Sequence, residues 1–326
     1  MNHPSHFSRR RFTQAAFGAI ALPGLALAQD SWPARTVRVI VPSSPGGGTD
    51  VFGRILAQAL TEQMKQTFIV ENKPGASGNI GADLVAKAEP DGYTILVASN
   101  SSLGINPVLL KTMPFDIDKD LMPVARGVFA PMVVVANPAT GWKTLKDLVE
   151  AGRKNPDKYF YGSAGVGSPL YIGVRMLEDA TGARFTHVPY KGVAPAYQDL
   201  LSGRLQFMWT DLASIEPSFK AGKLVALAMN QKSPLLPYVP TLAEQGINAD
   251  AWTSFSVMVP AKTPGAIVKK LSAEIEQAFR KPAVQERLAR QALLPVHDTP
   301  EQFAAEMRKE RQHWGAFIQR KNITAE

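Results

Sequence analysis

The feature that most constrains this chain is a repeated junction, in which a short apolar run leads into a glycine-rich polar loop and then into an amphipathic stretch. Residues 37–41 form a strand-length apolar run and residues 42–49 a loop with three successive glycines. Val51, Ile55, Leu56, Ala59 and Leu60 then fall on one face of a helix. The same unit recurs at 68–70, 72–79 and 80–88, and again at 159–161, 162–168 and 169–181. Further strands are predicted at 93–98, 132–136, near His187, at 205–209 and at 256–259. Helices are predicted at 144–154, 194–202, 264–279, 282–292 and 300–320. Alternation of this kind predicts parallel βαβ units. A chain of 326 residues exceeds what one hydrophobic core usually fills. Two α/β lobes are therefore expected, one from 29–130 with 253–326 and the other from 131–252, joined by two crossovers that form a hinge.

Residues 1–28 stand apart from this pattern. Ser8-Arg9-Arg10-Arg11-Phe12-Thr13 is a twin-arginine pattern, an apolar segment covers 15–27, and Ala26-Leu27-Ala28 supplies small residues ahead of a cleavage point. This predicts an exported, periplasmic protein cleaved after Ala28. The apolar segment is shorter than the roughly 20 residues of a bilayer span, and Pro23 and Gly24 break it. Loss of 1–28 removes Arg9, Arg10 and Arg11 and no acid, which lowers the formal charge from +8 to +5. The remaining basic residues are scattered, which argues against nucleic acid as a partner. Without cysteine the chain has no disulfide, thiol nucleophile, thiolate metal site or lipid-attachment point. His187, His297 and His313 lack metal-ligand spacing, so neither a metal nor a cofactor is expected.

The loops carry the chemistry. A helix N-terminus leaves its first amides unpaired and carries partial positive charge, and glycine lets a ligand approach the backbone. In open α/β sheets such loops lie at the carboxyl ends of strands, where ligands bind. Turn geometry and capping by Thr49, Asp50 or Ser168 would account for any one of them. Three in one chain, spread over both halves, point to a site for a carboxylate or phosphate. No G-x-S-x-G surrounds Ser77 or Ser168, and the phosphate-loop and dinucleotide-loop patterns are missing. A binding protein is expected rather than an enzyme. An exported hydrolase using a loop serine and a receptor for a signalling partner are the alternative classes.

Several segments together carry a resemblance. They are Val39-Ile40-Val41-Pro42, Gly46-Gly47-Gly48-Thr49-Asp50, the run from Val70-Glu71-Asn72-Lys73-Pro74-Gly75-Ala76 through Ser77-Gly78-Asn79-Ile80-Gly81, Pro90-Asp91-Gly92-Tyr93-Thr94, His187-Val188-Pro189-Tyr190-Lys191-Gly192 and Val239-Pro240-Thr241. Over essentially the whole mature length the chain resembles the Bug-type receptors of the tripartite tricarboxylate transporter family. The resemblance implies a two-lobe periplasmic binding protein of type II, the Venus-flytrap kind. Such a protein closes on a small organic carboxylate and passes it to membrane transporter subunits, working as a monomer. It also implies a carboxylate held by amides and water rather than by arginine, in keeping with loops that contain no Arg. By position, Gly46, Gly47, Thr49, Ser77, Ser99, Gly165, Gly167, Ser168 and Tyr190 are candidate contacts, and the same loops add Ser43, Ser44, Asn100 and Ser163. Asp211, placed just after strand 205–209, holds a ligand ammonium if it faces the cleft and caps a helix or meets solvent if it does not. Family members usually carry an aromatic residue after the first-loop proline. Here Ser43-Ser44-Pro45 follow Pro42, which implies a more open, polar wall.

Overall fold

The computed structural model describes Met1 and residues 32–325. The export segment and its cleavage after Ala28 fall outside the described residues. In chain order the strands are β1 (Val37–Val41), β2 (Phe68–Asn72), β3 (Thr94–Ser99), β4 (Leu121–Ala130), β5 (Met132–Ala136) and β6 (Phe160–Ser163). They continue with β7 (Thr186–Pro189), β8 (Phe207–Asp211), β9 (Val225–Met229), β10 (Thr253–Pro260) and β11 (Leu294–Pro295). They form a six-stranded sheet of order β11-β4-β10-β3-β1-β2 and a five-stranded sheet of order β7-β6-β8-β5-β9. β1 runs parallel to β2 and β3, and β6 parallel to β7 and β8. β10 and β5 lie antiparallel within their sheets. β3 and β5 are buried along nearly their whole length, as strands covered on both faces must be.

The chain passes between sheets twice. Only Pro131 separates β4 from β5, and residues 230–252 return from β9 to β10. Asn230 stitches the two passages together. Its Oδ1 accepts the Met132 N–H (2.8 Å) and its Nδ2 donates to the Ala251 carbonyl (3.3 Å), while its own N–H donates to the Met132 carbonyl (3.0 Å). Each sheet has its own core. Val39, Phe52, Leu56, Ile95 and Val257 pack in the first, and Val134, Tyr161, Phe207 and Trp209 in the second. A 21-residue helix, Pro300–Arg320, starts from a capping box of Thr299 and Gln302. At about 1.5 Å per residue it is long enough to serve both cores. Phe303 and Met307 pack on the side of the first sheet that carries Ile40 and Leu96, whereas Trp314, Phe317 and Ile318 join the second core.

The strand expected at 205–209 lies two residues later, so Asp211 ends it rather than following it. The loop expected at 99–102 is partly a helical turn, Ser101–Ile105. β4, β9 and the helix Leu212–Lys220 were not anticipated.

Candidate functional site

The loops that follow β1, β2 and β3 and those that follow β6, β7 and β8 line one cavity of ≈ 50 Å³. A water needs roughly 10–15 Å³ on this measure, so the space suits a few small groups. From the first sheet come Ser43, Gly47, Gly48 and Thr49 after β1, Gly75, Ser77 and Gly78 after β2, and Ser99 and Ser101 at the end of β3. From the second come Ala164, Ser168 and Leu170 after β6, Lys191, Gly192 and Val193 after β7, and Asp211 closing β8. Thr253 and Phe255 of β10 complete the wall.

Four helices, Gly48–Met64, Asn79–Ala86, Pro169–Thr181 and Val193–Leu201, begin at this cavity. Three of them, the first, second and fourth, have no side-chain cap. Their first-turn N–H groups and dipoles bring partial positive charge to the cavity without a buried cation, with the Asp211 carboxylate as the opposing charge. Lys191 is the cationic side chain among the lining residues, and it is exposed. Asp50, in the first turn of the first helix, faces the other way. It accepts from the Gly46 N–H, Arg54 Nε and Asn72 Nδ2, each at 2.9 Å. Burial pushes its pKa up, but these partners outweigh burial and hold it below the usual carboxylate value. Asp50 thus fixes the shape of the first loop.

The second loop is strained. Ser77 has φ 49° and Ala76 φ 48°, a region L side chains avoid, and Ser77 Oγ donates to the Ala164 carbonyl of the other side (3.3 Å). Glycines carry the seam where the two sides meet. A Cβ on Gly165 would lie 2.5 Å from Ser77 Oγ, one on Gly167 would fall on Asn106 Oδ1, and one on Gly192 would fall on Ser44 Oγ. The Gly48 N–H crosses the same seam to Ser214 Oγ (2.8 Å).

Asp211 is a helix cap that also faces the cavity, and it does not meet solvent. At the start of the helix Leu212–Lys220 its Oδ1 accepts the Ser214 N–H (2.9 Å). The Ser214 hydroxyl lies 2.8 Å from Oδ1 and 2.9 Å from Oδ2. Desolvation raises its pKa, opposed by these Ser214 bonds.

Of the sequence candidates, Ser43, Gly47, Thr49, Ser77, Ser99, Ser168 and Asp211 line the cavity, and Ser44, Gly165 and Gly167 sit at the seam. Four others are held elsewhere. Gly46 is exposed on the rim with its N–H given to Asp50. Asn100 lies behind the wall, donating to the Trp252 carbonyl (3.1 Å) and accepting from the Thr253 hydroxyl (3.3 Å). The Tyr190 hydroxyl donates to Asp199 (2.7 Å), and burial and that acid push its pKa up to about 12. Ser163 is fully buried with Oγ 2.7 Å from His187 Nε2. Burial and Arg175 push that histidine down to about 4. Neither Ser163 nor His187 is among the residues that line the cavity. Sequence reading missed the Lys191–Gly192–Val193 segment, although a glycine between β7 and a helix is a fourth copy of the same junction. Thr253 and Phe255 carried no such signal, because an antiparallel strand brings them in from far along the chain.

Two α/β sheets that bring helix N-termini from both sides to one cavity define a two-lobe solute-binding protein. Residues 52–323 match the family described as tripartite tricarboxylate transporter family receptor, and the chain belongs to that family. It is similar to BugT of Bordetella pertussis (strain Tohama I), 34% identical over 307 residues that cover 92% of this chain and 94% of BugT. Among solved structures it is similar to an R. palustris protein with adipate, at TM-score 0.87 and 30% identity, covering 90% of this chain and 99% of that one. MatC from Rhodopseudomonas palustris with bound malate matches at TM-score 0.83 and 29% identity, covering 88% of this chain and 100% of that one. The chain is a Bug-type receptor with the two-lobe fold of periplasmic binding proteins. Among the described residues no helix is long and apolar enough to cross a membrane.

Proposed function

We propose that this receptor captures a small carboxylate-bearing solute between its lobes in the periplasm and delivers it, chemically unchanged, to membrane transporter subunits. The observation that carries the reading is the convergence of four helix N-termini, three without side-chain caps, on one cavity. The adipate and malate held by similar proteins support a carboxylate as the ligand. In this reading residues 29–130 with 253–326 form one lobe and 131–252 the other. The lobes open by rotation at Pro131 and at 230–252, and the working state is a monomer. Ser43, Gly47, Thr49, Ser77, Ser99 and Ser168 contact the ligand, and Ser44, Gly165 and Gly167 let the seam shut. Export follows the twin-arginine route, with cleavage after Ala28, and intact-mass measurement of the periplasmic protein checks that the chain starts at Gln29.

Thermal unfolding of residues 29–326 against a panel of small carboxylates and their primary amides tests the binding. A ligand at about 100 times its Kd stabilises by roughly 2.7 kcal/mol. Acids are expected to raise the midpoint and their amides to leave it in place. If no acid raises it, and denaturation releases no small acid detectable by mass spectrometry, the reading fails.

A further inference from the structure

Asp211 is 3% exposed and lines the cavity, and its carboxylate sits against Gly48 at the N-terminus of the first helix. A carboxylate offers about four lone-pair positions. Among the described residues its hydrogen-bond partner is Ser214, through one N–H (2.9 Å) and one hydroxyl (2.8 Å to Oδ1). That hydroxyl already accepts the Gly48 N–H, which leaves its proton for Asp211. Both of these donors and the adjacent helix N-terminus favour the ionised form, against burial, which raises the pKa, and a cationic or hydroxyl donor from the solute would add to their side of the balance. A buried acid with unused acceptor positions, facing the space where a solute sits, needs a donor from that solute.

We propose that Asp211 makes this site selective for a carboxylate whose far end carries a hydrogen-bond donor, an ammonium or a hydroxyl, and selective against dicarboxylates. The inference rests on the carboxylate-receptor reading and sharpens its substrate class. The amides at the other helix N-termini hold the ligand carboxylate, while Asp211 accepts from the donor end. A second carboxylate at that end would meet a desolvated acid of like charge, a combination that closed sites reject. On this account the solute differs in kind from the dicarboxylates malate and adipate found in two similar proteins.

The test uses residues 29–326 and matched straight-chain acids of three to six carbons, whose far end is a methyl, hydroxyl, ammonium or carboxylate group. Affinities are read by calorimetry. In the unaltered protein the hydroxy or amino acid is expected to bind about tenfold or more tighter than the diacid of equal length. Which of the two binds tighter identifies the donor. Asp211→Asn keeps the cap, since Asn also serves at that position. It is expected to lower amino-acid affinity about tenfold and to raise diacid affinity. A purely structural Asp211 would shift all four series together. Diacids that bind the unaltered protein as tightly as the hydroxy and amino acids overturn the inference and leave the carboxylate receptor standing. The same holds if the Asn variant keeps the ranking. Failure of every acid to bind overturns both, and the ranking in the unaltered protein decides the matter even if the variant does not fold.

Discussion

The two sides of the cleft reach the same cavity by different means. On the first-sheet side the helices Gly48–Met64 and Asn79–Ala86 start from Gly47 and Gly78, which have no side chain to cap them, and the Gly48 N–H is taken by Ser214 Oγ from the other side. On the second-sheet side Ser168 and Asp211 fold back onto the Tyr171 and Ser214 amides, and Val193–Leu201 alone starts bare. Bare amides suit any small anion, whereas fixed side chains distinguish one anion from another. On the proposed binding mode, affinity and selectivity are drawn mainly from opposite lobes, and the glycine seam joins them.

The largest effect is expected at that seam. Gly167→Ala would drive a methyl group into Asn106, whose amide is already held by the Asn79 side chain (2.7 Å) and the Ser77 carbonyl (3.3 Å). Overpacking of this kind costs about 1–3 kcal/mol, and here it falls on the closed form alone. Ligand affinity should drop by up to about a hundredfold in calorimetry, while the unliganded unfolding midpoint stays put. Retained affinity would remove the seam from the account.

An effect of comparable size, read in stability instead of affinity, is expected where the last helix passes from one core to the other. Glu310 is buried there beside the Trp252 indole (3.4 Å). Desolvation pushes its pKa up to about 7, with Trp252 and Arg126 opposing. The folded state therefore holds a proton that the unfolded state releases above the ordinary value of 4.5, and stability falls as pH rises from 4.5 to about 7. The loss is about 3 kcal/mol by linkage, and Glu310→Gln should abolish that slope in denaturant unfolding across the window. An unchanged slope would assign the pH dependence elsewhere.

Ser168→Ala tests the capped side more gently. Loss of the cap on Pro169–Thr181 should cost about 1 kcal/mol of stability while carboxylate binding persists. Abolished binding would mean that the second side supplies affinity as well. The smallest change is Ser77→Gly, which relieves the left-handed backbone at φ 49°. Stability should rise by less than about 1 kcal/mol, with binding weakened through loss of the Ala164 contact, as paired melting and titration curves would record.

Much of this was legible in the chain. Several of the parallel strands showed as short, mainly apolar runs, and the loops after β1, β2 and β6 showed as glycine beside serine or threonine. β4 was hidden because Pro123, Arg126 and Gly127 interrupt its pattern. Its pairing with β10 is irregular, and Gly127 takes φ 46°. β9, Val-Ala-Leu-Ala-Met, has no alternation to separate strand from helix. Within the site, proximity in sequence located the loops but not the direction of each side chain. Tyr190 and Ser163 stand beside cavity-lining residues yet turn to Asp199 and His187, partners fixed by tertiary packing.

The central claim is that the lobes close on a carboxylate, and small-angle scattering tests it most directly. Residues 29–326 with a saturating acid should show a smaller radius of gyration than without it, and Gly167→Ala should stay at the larger value under both conditions. An acid that binds tightly and leaves the radius of gyration unchanged, in a protein not already compact without it, would contradict the account.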